Sequence, residues 1–133
     1  MSQAEIKLGK PKVVGVDSQY SGLVVVHIPL EPKPDQHWAQ IFNNVPPGAT
    51  YGHATRLPQV VGGEVELRVP EDYVERSYET AKGFVTATNS YYAQNIEPEL
   101  RRRQKAREDA EAERKRMMDE AQRRLDELEE TSN

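Results

Sequence analysis

The chain has 133 residues, a formal charge of −4 and no cysteine. That length suits one domain able to bury roughly 60 to 70% of the surface its unfolded chain exposes, and the absent thiols exclude disulfide frameworks, thiolate metal sites, iron–sulfur clusters and cysteine nucleophiles. No apolar run approaches the ~18 residues of a membrane span, and the opening MSQAEIKLGKPK has neither an apolar stretch nor a cleavage site, so the expectation is a cytoplasmic protein with no membrane partner.

Ile6 and Leu8 begin a short alternation that Gly9 and Pro11 interrupt. Val13, Val14 and Val16 are β-branched, the segment 17–22 is rich in turn residues, and Leu23 to Ile28 is dense in valine, which reads as a β-hairpin. Because Leu23, Val24, Val25 and Val26 are consecutively apolar, that second strand is expected at the centre of its sheet or covered on both faces. Pro29, Pro32 and Pro34 then predict an extended connection outside the ladder. Asp35 is placed to cap a short helix carrying Trp38, Ile41, Phe42 and Val45, which Pro46-Pro47-Gly48 ends.

Thr50 to Arg56 and Glu64 to Val69 read as two further strands around a Gly62-Gly63 turn, with Leu57 to Val61 extending the hairpin or forming a loop. The alternation is clear in the second, with Val65, Leu67 and Val69 on one face and Glu64, Glu66 and Arg68 on the other. Asp72 is placed to cap a helix over 71–95, whose apolar stripe is Val74, Tyr78, Ala81, Val85, Thr88 and Tyr92, widened by Ser77, Phe84 and Tyr91. The fold expectation is α+β: a two-layer sandwich of about four mostly antiparallel strands with two helices in ββαββα order, followed by a long charged C-terminal helix.

Pro98 lacks the N–H that an interior turn needs, so the helix is expected to kink or restart there, dividing a domain over 1–96 from a charged arm over 97–133. Between Glu97 and Glu130 stand ten basic and twelve acidic residues. Many are spaced for i,i+4 attraction, among them Glu99/Arg103, Glu111/Lys115 and Glu120/Arg124, at about 0.2–0.5 kcal/mol each. Arg114, Met118, Ala121, Leu125 and Leu128 follow a heptad register that is apolar only over its last two repeats, short of a sustained coiled coil.

Arg101, Arg102, Arg103, Lys105 and Arg107 could meet a nucleic acid, but they wrap around the helix among acidic neighbours. His27, His37 and His53 have no metal-ligand spacing, and no nucleophile, phosphate-loop or dinucleotide motif is present. No cofactor is expected. Tyr91 and Tyr92 offer rigid area with polar handles; Tyr92 is in register with the core, which leaves Tyr91 for a surface role. These features favour a small non-enzymatic protein-interaction or adaptor module, acting through its domain surface and through Tyr91, Met117, Met118, Leu125 and Leu128, with a protein partner or another copy of itself. The alternatives are a nucleic-acid-binding accessory protein using the arginine cluster, and a small enzyme or ligand carrier with a polar pocket near His37 or His53.

Overall fold

A computed structural model describes residues 5–19, 22–51 and 56–132. The element order is β1 (Lys7–Leu8), β2 (Lys12–Val16), β3 (Leu23–Glu31), α1 (Gln36–Asn43), β4 (Gln59–Val61), β5 (Glu64–Pro70), a 3-10 turn (Glu71–Tyr73), α2 (Val74–Tyr91), a π turn (Tyr92–Ile96) and α3 (Glu97–Ser132). The class is α+β, and the sheet is antiparallel throughout. β3 lies at its centre, with β5 along one side and β1 and β2 sharing the other. That placement explains the unbroken valine run.

Pro29 belongs to β3, opposite Glu64, contrary to the expectation that it ends the strand. A residue's N–H and C=O point to the same side of a strand, and Pro29 turns that side toward the gap between β1 and β2. There its carbonyl accepts from the Gly9 N–H at 2.7 Å, and no ladder partner calls for the donor it lacks. Gly9 must be small: a Cβ there would stand 2.9 Å from Pro29 Cγ. Beyond β3, the Glu31–Pro32 peptide bond is cis.

The second hairpin is tighter than the sequence pattern suggested. Gly62 and Gly63 have φ of 59° and 84°, the two positive values of a type I′ turn, so the strand before it must end at Val61. β4 is therefore Gln59–Val61; Thr50, Tyr51 and Arg56 are not in a strand, and residues 52–55 of the expected strand lie outside the described residues. The Asn43 side chain completes the edge of β4, accepting from the Val60 N–H at 2.7 Å and donating to the Val60 carbonyl at 3.2 Å. On the opposite edge β2 is bulged, since Val13 faces Val26 while Gly15 faces Val25 and leaves Val14 as the extra residue.

Val26, Ile28 and Leu30 of β3 and Val65, Leu67 and Val69 of β5 form the buried face of the sheet. Trp38 and Phe42 of α1 and Ala81, Phe84 and Val85 of α2 cover it, with Ile6 before β1 also buried. Phe42 joins the helices, stacked on Trp38 at 5.6 Å and edge-on to Phe84 at 5.4 Å. Asp35 caps α1 as its sequence position implies, accepting from the Trp38 N–H at 2.8 Å. Asp72 does not cap α2; it sits inside the 3-10 turn, and Tyr73 occupies the cap position without a side-chain bond.

Helical backbone runs through Pro98. The irregularity falls one turn earlier, as the π turn in which the Glu97 N–H donates to the Tyr92 carbonyl. A π turn lengthens the step between donor and acceptor, which gives a proline ring and an unpaired carbonyl room without a break. The chain divides into two compact units at the Glu97–Pro98 boundary.

Candidate functional site

α3 carries the sequence's most conspicuous functional candidates. Met117, Met118, Leu125 and Leu128 are 59 to 67% exposed. They occupy one side of a helix rich in charged residues; Met118, Leu125 and Leu128 fall on the heptad register read from the sequence, and Met117 lies beside it. Around them the arginines turn chiefly to partners three residues back: Arg114 to Glu111 at 3.2 Å, Arg116 to Glu113 at 2.7 Å and Arg123 to Glu120 at 2.6 Å. Two pairs at the expected i,i+4 spacing form, Arg103 with Glu99 and Arg124 with Glu120, each at 3.3 Å. Arg116 and Arg123 hold Glu113 and Glu120 below the usual carboxylate range.

The basic cluster is partly neutralised from within. Glu99 pairs with both Arg102 and Arg103, and Arg107 donates to the Gln104 side chain at 3.2 Å. Arg101 and Lys105 are exposed. A phosphate would compete with Glu99 for two of the five cations.

Within the domain, the open face of the sheet carries a charged row. His27 Nε2 lies 3.0 Å from Glu66 and Nδ1 3.7 Å from Glu64, while Arg68 reaches Glu66 at 2.7 Å and Asp17 at 2.6 Å. Arg68 and then His27 draw the Glu66 carboxyl below its usual range against the opposing effect of burial. These contacts satisfy His27 on its strand. His37 is exposed, and His53 lies outside the described residues. Among the described residues no group of three histidines or carboxylates is placed to hold a metal ion.

On the helix side, a groove of about 610 Å³ runs between β3 and the start of α2, lined by Pro11, Val26, Leu67, Val74 and Tyr78. It exists because α2 is rolled: Ser77, Ala81, Phe84 and Thr88 go deepest, leaving Val74 and Tyr78 half-buried at its margin. Val13, Val14 and Val16 of β2 are 51 to 66% exposed on the neighbouring sheet edge.

The far end of α2 holds a hydrogen-bonded constellation that periodicity did not reveal. Asn89 Oδ1 accepts from Trp38 Nε1 at 2.9 Å and from the Ile6 N–H at 3.2 Å, and its Nδ2 donates to the Ile6 carbonyl at 2.8 Å. One amide thus ties α1, α2 and the lead into β1. Tyr92 is 4% exposed and donates its hydroxyl to Asp35, rather than keeping it in water. Burial first, and then the Asp35 carboxylate, push that hydroxyl above the usual tyrosine range, with Glu97 adding in the same direction. Tyr91 is half-buried, its carbonyl taken by the Asn95 side chain at 3.2 Å.

No helix among the described residues is long and apolar enough to cross a membrane. No family model matches the chain, and comparison with curated proteins and with solved structures returns no match.

Proposed function

We propose that this chain is a non-enzymatic interaction module that docks on a protein partner, or on another copy of itself, through the apolar side of α3. The observation that carries this reading is the exposed quartet Met117, Met118, Leu125 and Leu128 on an otherwise charged helix. Fully burying a Leu or Met side chain contributes about 1.5–3 kcal/mol. The quartet therefore offers enough to offset part of the cost of association, and the two-heptad length limits it to a modest affinity when it acts alone. The valine-rich edge of β2 and the groove beside α2 supply a second apolar surface on the domain.

The test is sedimentation of the full chain over a range of concentrations, beside affinity capture, with the double variant Leu125→Asp/Leu128→Asp as comparison. Expected is a concentration-dependent rise in mass, or capture of a defined protein, that the variant loses. A chain that stays monomeric and captures the same material with or without the two leucines contradicts the reading.

A further inference from the structure

The π turn decides which residue stands over Tyr92. In an α-helix that place belongs to the residue four positions on, Ile96; here the Glu97 N–H bonds to the Tyr92 carbonyl, and the fifth residue takes it. Glu97 is consequently only 9% exposed, an unusual burial for a carboxylate. Among the described residues no hydrogen bond or ion pair engages its side chain. Among the described residues no fully buried side-chain oxygen lacks a partner, so the Glu97 carboxylate is not sealed in, and Glu97 lines a cavity of about 300 Å³ with Glu5, Ser90 and Tyr92.

The cavity wall is rich in acceptors. Tyr92 spends its only proton on Asp35, so its hydroxyl has no hydrogen left to donate to a ligand. Asn89, also in the wall, commits its oxygen to Trp38 and Ile6 and one N–H to the Ile6 carbonyl. Glu5 adds a second carboxylate and Ser90 a hydroxyl. A carboxylate or phosphate ligand would be repelled. An ammonium or guanidinium head, which only donates, would pair with Glu97 and meet the remaining acceptors, and the volume is at the lower end of known ligand cavities.

We propose that this cavity binds an alkylammonium or guanidinium group, from a free amine or from a lysine or arginine side chain, with Glu97 as its counter-ion. All the residues involved lie between Glu5 and Glu97, so the site is separate from the Met117, Met118, Leu125 and Leu128 quartet to which the interaction is assigned.

Amide NMR of the full chain at low salt tests it, with cadaverine and Nα-acetyl-lysine methylamide as probes and Nα-acetyl-norleucine methylamide as the uncharged stem. Expected are saturable shifts at Tyr92, Glu97 and the Trp38 indole N–H, which bonds to Asn89 in the cavity wall. The norleucine probe leaves them unmoved, and Glu97→Gln weakens cation binding at least about tenfold. Whichever cation binds more tightly identifies the source as a free amine or a side chain. The proposal is overturned if neither cation gives saturable shifts, if norleucine matches them, or if Glu97→Gln binds equally well. Should that variant fail to fold, saturable shifts centred on any other surface of the native chain overturn it.

Discussion

α2 and α3 are both long helices, and they persist for different reasons. α2 has 18 residues and buries Ser77, Ala81, Phe84, Val85 and Thr88 against the sheet and α1. α3 has 36 residues, and its four large apolar side chains between Met117 and Leu128 remain more than half exposed. α2 contains Gly83 and several β-branched residues of modest helix propensity, so its stability comes from tertiary packing. α3 is dominated by Glu, Arg, Lys, Ala and Gln and is stitched by i,i+3 and i,i+4 ion pairs, so its helicity is local. A surface made by packing is fixed in shape by the fold; one presented on a locally stable helix needs only the helix.

Removing the packing separates the two most strongly. Trp38→Ala takes away a fully buried ring stacked on Phe42 and the donor to Asn89, and is expected to cost about 3–5 kcal/mol in chemical denaturation while the α3 contribution to the helical circular dichroism survives. Asn89→Ala leaves the Ile6 N–H and carbonyl and the Trp38 indole N–H without their partner. Its expected cost is about 2–4 kcal/mol, with the region around Ile6 opening first in hydrogen exchange.

Tyr92→Phe is milder, at about 1.5–2 kcal/mol near neutral pH, and it changes the pH profile. The Tyr92 pKa is raised on folding, so above pH ~10 the unfolded chain loses a proton that the folded chain keeps. Stability is therefore fully present below that pH and falls as pH rises beyond it, and the Phe variant should show a shallower alkaline fall in a denaturation series. Salt probes the other helix. Screening the ion pairs of α3 removes only tenths of a kcal/mol each, so raising sodium chloride to about 1 M should lower helicity slightly without shifting the main unfolding transition downward.

Much of the domain was legible because its local patterns agree with its packing. The alternation of Val65, Leu67 and Val69, the Asp35 cap and the Ala81–Val85 stripe each state a face or an end that the fold then uses. The differences have two causes: dependence on a neighbour that the local pattern does not contain, and competition between two local signals. Pro29 is tolerated in β3 only because β1 and β2 leave a gap beside it. Thr50 to Arg56 reads as the extended segment, yet the paired strand is Gln59–Val61, inside the Leu57 to Val61 stretch that reads as an extension or a loop, because the two glycines set a two-residue turn directly after Val61.

The candidate sites divide in the same way. The α3 quartet could be read directly, since it depends on periodicity alone. The Tyr92–Glu97 pair could not, because a search at 3.6 residues per turn skips a five-residue step. Pro98 is the available signal: by itself it predicts a kink or restart, whereas the structure widens the turn before it. Asn89 gave less warning: a polar residue beside an apolar stripe is ordinary until its three bonds are seen.

The distinction between the helices is tested most directly by residue-level hydrogen exchange on the dilute full chain, comparing the native sequence with Trp38→Ala. Protection across β3, β5 and α2 is expected to fall together in the variant, while the amides of α3 beyond Pro98 exchange at unchanged rates. A loss of protection in α3 in step with the domain would contradict that distinction.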